Sequence, residues 1–298
     1  MGGEGGSQAG TPCVETAVAQ DQRNQVGRAA CWADDGRVEL DRSKFVLEFE
    51  DAFTSKRLDP ARWIPHYLPH WTSPEQSAAR YDFVDGALRL RIDAEQPAWR
   101  EADGGLRVSN LQTGSWSGLL GSALGQHRHG DELRVVSPQP DRRLYTPRYG
   151  LVEAELRSAI DPTTMLAFWL IGFEADAPED SGEICIIELF GDSIGTTTSE
   201  LSIGVKAHHD PRLQDDMARV SLSLDAGAWH TYSAEWAPDQ VRFFVDDQLV
   251  RTVDHDIDYP MQLMVDLFEF RADETFDTSH YPKVGEVRAV RGFRTIDR

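Results

Sequence analysis

Two glutamates, Glu183 and Glu188, stand in the run Gly182-Glu183-Ile184-Cys185-Ile186-Ile187-Glu188, which is otherwise apolar and rich in β-branched residues. Desolvating a carboxylate is costly, so two of them in so apolar a stretch call for a purpose. A pair of carboxyl groups on one concave face is the minimum equipment for retaining glycoside hydrolysis. One attacks the sugar, and the other delivers a proton and later recovers it. The composition predicts a mostly buried strand, Glu183–Phe190, with Gly182 and Gly191 as breaks at its ends. Side chains alternate along a regular strand, so Glu183, Cys185 and Ile187 share a face and Glu188 points away. One extra residue, a β-bulge near Ile186 and Ile187, returns Glu188 to the face of Glu183. The bland alternative is a buried strand that carries two glutamates by chance, and the short motif alone leaves the two readings level.

The elements that must position this pair read as strands along most of the chain. Residues 45–53 form a strand ending in a loop. Residues 80–92 contain a turn at Asp85-Gly86, followed by alternation of Leu88, Leu90 and Ile92 inward with Arg89 and Arg91 outward. Residues 145–157, 165–172, 201–209, 229–238, 241–251, 260–268 and 285–293 complete the set, with a two-residue Asp246-Asp247 connection inside a hairpin. Trp229 and Trp236 read as core. Residues 96–143 form a long Gly-rich connection, a length that marks functional loops or insertions. His127 and His129 within it lack a third ligand at a recognisable spacing and read as loop histidines rather than a metal site. No repeat and no helix of consequence is visible. Alternating strands separated by turns imply a two-sheet sandwich.

These segments carry a family resemblance. The central motif resembles the active-site strand of glycoside hydrolase family 16, written Glu-x-Asp-x-x-Glu, with Cys185 where the family has Asp. The opening residues Phe49-Glu50-Asp51-Ala52-Phe53 and Leu58-Asp59-Pro60-Ala61-Arg62-Trp63 resemble the family's "F-x-D-x-F … L-D-x-x-x-W". Residues 149–157 resemble its "YGRFEAR", and residues 165–172 its "PAxWLLG". The stretch from Trp229 to Arg251 resembles its "FHTYxxEWTPxxIxFYVDGxxV" and is the most specific long match. The resemblance covers roughly residues 44–296 in order.

The resemblance implies an all-β fold, a concanavalin-like β-jelly-roll of two curved antiparallel sheets with a concave substrate cleft. It implies Glu183 as nucleophile and Glu188 as acid/base, with Cys185 in the place of the Asp that hydrogen-bonds the nucleophile. It also implies a histidine, His208 or His209, pointing at the acid/base glutamate from the next strand. Trp169 is expected as a sugar platform on the cleft floor, and Asp266 at the substrate, where the family often has Asn. The expected activity is endo-cleavage of a neutral β-glucan by a monomer. A transglycosylase or a non-catalytic carbohydrate-binding sandwich are the alternatives that Cys185 leaves open. No cofactor is called for, and no motif for a structural calcium ion is legible.

Bulk properties narrow the field. The chain has 298 residues, 40% of them hydrophobic, and a net charge of −20. That charge disfavours nucleic acid and anionic membrane as partners, since both require cationic surface. No apolar run is long enough to cross a bilayer. Residues 1–43 show no sustained period and are expected to form an arm, followed by a single domain over 44–298. The first thirty residues lack the pattern of a signal peptide, which places the chain in the cytoplasm as it stands, or outside the cell if a leader precedes it. Three cysteines, Cys13, Cys31 and Cys185, do not suggest a disulfide-stapled domain, although the first two could pair.

Overall fold

The structure is a computed structural model that describes residues 38–270 and 280–296. Its strands, in chain order, are β1 (Phe45–Asp51), β2 (Arg80–Val84), β3 (Ala87–Ile92), β4 (Arg107–Gln112), β5 (Gly114–Ser115), β6 (Arg142–Arg143), β7 (Gly150–Ser158) and β8 (Thr164–Gly172). They continue with β9 (Glu183–Phe190), β10 (Ser199–Lys206), β11 (Asp216–Leu222), β12 (His230–Trp236), β13 (Gln240–Val245), β14 (Gln248–Asp254), β15 (Met261–Glu269) and β16 (Lys283–Thr295). Two antiparallel sheets face each other. A six-stranded sheet runs β11-β10-β9-β8-β15-β4, and an eight-stranded sheet runs β14-β13-β12-β7-β16-β3-β2 with β1 also pairing β16.

Alternation fills the space between the sheets. Leu166, Phe168 and Leu170 of β8 meet Ile184, Ile186, Ile187 and Leu189 of β9, and Leu88, Leu90 and Ile92 of β3 close on them from the opposite sheet. A second apolar cluster lies on the other face of the six-stranded sheet. There Met165, Ala167, Trp169, Phe190, Met264 and Phe268 are covered by Tyr67, Leu68, Trp71, Trp99, Leu133 and Val135 from long connections. The sheet is thus buried on both faces over part of its length, and β8, β9 and β15 read as nearly continuous apolar runs for that reason.

The two short turns behave as their sequences require. Asp85-Gly86 and Asp246-Asp247 each place both central residues at positive φ (51° and 77°, 48° and 63°), the geometry whose twist matches a two-residue hairpin.

Two expectations need correction. Residues 96–143 are not strandless: β4 is the edge strand of the six-stranded sheet, and β5 and β6 form a small ribbon. Its pattern was hidden because β4 is buried throughout yet four of its six residues are polar. Ser109, Asn110 and Gln112 escape the desolvation cost by donating to the carbonyls of Arg91, His66 and Gly114. Trp229 is not core; its half-buried ring lies between the guanidinium groups of Arg157 and Arg288, 4.8 and 4.1 Å from the ring centre. The described end of the expected arm lies on the domain. Leu40 is buried against Leu151 and Phe244, and Arg42 pairs with Glu153 and Asp247. The earlier part of the arm, with Cys13 and Cys31, lies outside the described residues.

Candidate active site

The site is built on β9 by a change of phase. Trp169 of β8 pairs with Cys185, while Phe168 pairs with Ile187, so Ile186 is the extra residue. The same shift appears against β10, where Gly204 faces Cys185 and Ser202 faces Glu188. Ile186 and Ile187 both turn into the sandwich core, and Glu188 emerges on the same face as Glu183 and Cys185. A cavity of about 250 Å³ opens over this face, with Glu183, Glu188, Ser202, Lys206 and His208 among its lining residues.

Both glutamates are almost fully buried and every oxygen has a partner. Glu183 Oε1 accepts from Cys185 Sγ at 2.6 Å and from Lys206 Nζ at 3.1 Å, and Glu183 Oε2 lies 2.6 Å from His208 Nε2. Glu188 Oε1 accepts from Lys206 Nζ at 2.8 Å, and Glu188 Oε2 accepts from Ser202 Oγ at 2.8 Å. Cys185 Sγ sits between the pair, 3.8 Å from Glu188 Oε1. One ligand atom from each of Glu183, Cys185 and Glu188 lies within 4.8 Å of the others.

Charge states follow from these contacts. Burial alone would push the Glu183 carboxyl up, but the Lys206 ammonium and the His208 hydrogen bond outweigh it and hold the group well below the usual range. Burial pushes the Cys185 thiol far up, and the adjacent Glu183 charge adds to this, so Cys185 is a thiol and donates. Burial works against the Lys206 ammonium, yet the acidic groups around it keep it charged. Burial and the neighbouring His208 lower His127 well below the usual imidazole range.

His127, Glu183 and His208 also offer ligand atoms within 4.8 Å of one another. Here the counter-charge for Glu183 is already supplied by Lys206, so the donor set is read as hydrogen-bonding rather than metal-binding.

Each expected site residue has a definite place. Glu183, Glu188 and Cys185 share one face. His208 and His209 lie in the turn after β10, not on the strand, and His208 contacts Glu183 rather than Glu188. His209 lines the cavity rim, with Nε2 2.8 Å from the Arg128 carbonyl of the long insertion. Trp169 is on the cavity face, but only 5% of it is exposed; its ring meets His127 edge-on and its Nε1–H donates to Asp266 Oδ2. Asp266 is fully buried beneath Trp169 and does not line the cavity, which corrects its expected place against the substrate. Burial pushes its carboxyl far up, as suits a group anchoring an indole rather than a sugar.

Several residues at the site escaped the sequence reading. Lys206 ends an apolar strand, and only the register of β10 on β9 brings it opposite Glu183. Ser202 reaches Glu188 for the same reason. His127 enters the cavity from the insertion, and its backbone N–H donates to both oxygens of buried Glu174 at 3.0 and 3.1 Å. Glu174 is pushed up to about 8, chiefly by burial.

Fold and site together define a jelly-roll with a carboxylate pair on its concave face. Residues 144–275 match glycosyl hydrolases family 16. A β-glucanase of Bacillus subtilis is 25% identical over 181 residues, covering 57% of this chain and 69% of its own length. Among solved structures, an endo-β-galactosidase from Clostridium perfringens that releases GlcNAcα1-4Gal superimposes with a TM-score of 0.74. It is 25% identical, over 86% of this chain and 64% of that one. The laminarinase catalytic domain of Thermotoga maritima superimposes with a TM-score of 0.58 at 16% identity, over 85% of this chain and all of that one, and shares the fold. The chain spans only 19% of a Crh-like protein of Candida albicans to which it is 31% identical over 104 residues, 35% of this chain.

Proposed function

We propose that the chain is a retaining, endo-acting hydrolase of β-linked polysaccharide. The observation that supports this reading is the placement of Glu183 and Glu188 on one face over the cavity, with an oxygen of each within 4.8 Å of the other, a proximity in keeping with a retaining pair. Glu183 is held ionised and attacks the anomeric carbon. The glycosidic C–O bond breaks as Glu188 passes a proton to the leaving oxygen, and a glycosyl ester forms on Glu183. Glu188, now ionised, takes a proton from water. The water oxygen attacks the same carbon, and the ester electrons return to Glu183.

The attacking oxygen must shed a donor before it can bond to carbon. His208 sits on a turn, whereas Cys185 and Lys206 are fixed on strands, so Oε2 is the oxygen freed for attack. Glu188 must hold a proton at the start. Ser202 accommodates this, because a hydroxyl can turn from donor to acceptor when its partner is protonated.

A neutral β-glucan is the first substrate class, in keeping with the β-glucanase similarity. The higher structural similarity to an endo-β-galactosidase favours adding galactose-containing glycans to the search. Polysaccharide panels analysed by NMR test the reading. A β-anomer as the first product from a β-linked chain, with internal cleavage, is the expected result. An α-anomer first, or binding without cleavage on every glycan, rejects it; the latter outcome makes the chain a sugar-binding relative.

A further inference from the structure

The middle position of the catalytic strand holds a thiol, and a thiol cannot carry the charge a carboxyl would share with two glutamates. The structure contains another ionisable group in contact with both. Lys206 begins opposite Glu183 in the β10–β9 register, yet its ammonium also reaches Glu188, which is opposite Ser202. Its side chain therefore runs along the strand past Gly204, a position with no side chain, to bridge the oxygens Glu183 Oε1 and Glu188 Oε1. The ammonium is largely enclosed, with 15% of the side chain exposed, so little solvent screens it.

Resting on the hydrolase reading, we propose that Lys206 is the positioning residue of this site, a bridge whose ion pairing passes from Glu183 to Glu188 and back during turnover. In the resting enzyme Glu183 is the anion and Lys206 is its counter-ion. When Glu183 becomes an ester it loses its charge, and Glu188 has just given up its proton. The negative charge has moved about the width of the site, and the ammonium already contacts both ends. When water's proton returns to Glu188 and the ester breaks, the pairing reverts to Glu183. Cys185 keeps the hydrogen bond that orients Glu183 Oε1, and Lys206 supplies the charge that the thiol cannot.

Glu183 is faced by Cys185 and Glu188 on its own strand, Lys206 from β10, His208 from the following turn and His127 from the insertion. Asp266 of β15 and Tyr67 lie further off. Of these, only Lys206 touches both carboxylates as a permanent cation.

The test compares wild type, Lys206→Met, Lys206→Arg, Cys185→Asp and the Lys206→Met/Cys185→Asp double variant. Turnover is followed against pH on the best glycan of the panel, and Glu183 ionisation by carbon-13 NMR of its carboxyl. Lys206→Met is expected to lower kcat about a hundredfold with KM within about threefold. It should move both the acid limb of the profile and the Glu183 titration to higher pH, because the cation favouring the carboxylate is gone. Lys206→Arg should keep the acid limb near that of wild type. Adding Cys185→Asp to Lys206→Met should recover about tenfold or more, since a carboxyl then stands where the family motif has one. Wild-type kcat and an unmoved Glu183 titration in Lys206→Met overturn the proposal. A loss that Cys185→Asp does not recover, with Glu183 titrating as before, also overturns it and leaves Lys206 a packing residue. If the wild type cleaves no glycan, the hydrolase reading fails, and the NMR titration decides Lys206 alone: a shift in Lys206→Met supports its pairing role and no shift removes it.

Discussion

The two sheets of this molecule handle their charged residues in different ways. On the eight-stranded sheet, arginines and carboxylates alternate across neighbouring strands. Arg89 and Arg91 share Asp82, Arg291 joins Glu50 to Glu153, and Arg157 pairs with Glu286. Arg89 and Asp82 are each about a third exposed (30%), and water and salt screen them. On the six-stranded sheet one lysine meets two glutamates whose side chains are only 6% and 4% exposed. The two sets differ in cation and in solvent: arginines on a largely wetted surface, where of these carboxylates Glu153 alone is as buried as the glutamates of the cavity, against one enclosed lysine. An ion pair in water gives little, whereas a buried charge that loses its partner is costly.

The largest break in that contrast comes from Glu183→Gln, which leaves the shape of the site and removes the proposed nucleophile. Turnover should fall by roughly a thousandfold or more while oligosaccharide binding, measured by calorimetry, survives. Next comes stability. Lys206→Met leaves two buried carboxylates without a cation and should cost about 3 kcal/mol at neutral pH by chemical denaturation. The folded Glu183 is depressed, so the stability it brings is present above its unfolded range and lost as pH falls through the folded value. The gap between variant and wild type should therefore narrow as pH falls below the usual carboxylate range. At the small end, Arg89→Ala on the eight-stranded sheet should cost less than about 1 kcal/mol, although its pair with Asp82 is bidentate.

Between these lies Glu174, which supports the insertion rather than either sheet. Its folded value is raised to about 8, so the stability it contributes is complete below the usual carboxylate range and disappears as pH rises through about 8. Glu174→Gln keeps an acceptor for the His127 N–H and carries no charge. At pH 9 it should be more stable than wild type by several kcal/mol, roughly the size of a shift of some three units, and at pH 4 the two should unfold together.

Much of the fold was legible because alternation and turn chemistry are local. Leu88, Leu90 and Ile92 face inward, and Asp246-Asp247 closes its hairpin, for reasons contained in a few neighbouring residues. The bulge at Ile186 was legible too, since two glutamates on opposite faces made no chemical sense. What stayed hidden depends on register between strands distant in the chain. Lys206 at the end of a strand looks like a solvent-seeking terminus until β10 is laid against β9. Asp266 looked like a cleft residue because its strand and parity are right, but Trp169 lies over it. β4 was missed because its buried polar side chains spend their hydrogen bonds on backbone carbonyls, which composition does not reveal.

The extra isoleucine in β9 changes what a count of residues means. Upstream of Ile186 the odd-numbered side chains look outward; downstream the even-numbered ones do. Take Ile186 out, and Ile187 inherits its inward place while Glu188 still looks outward, now four positions after Glu183 instead of five. A ruler laid along the chain would call these two different motifs, although the sheet would present the same pair of acids. Distance along the polymer is therefore a poor gauge of kinship for this site; what is preserved is the side of the sheet on which each acid emerges. The bulge does add local twist to the strand. Chains with and without it should thus differ in how sharply the floor of the groove bends, and so in which bends of a sugar chain fit over an otherwise identical pair.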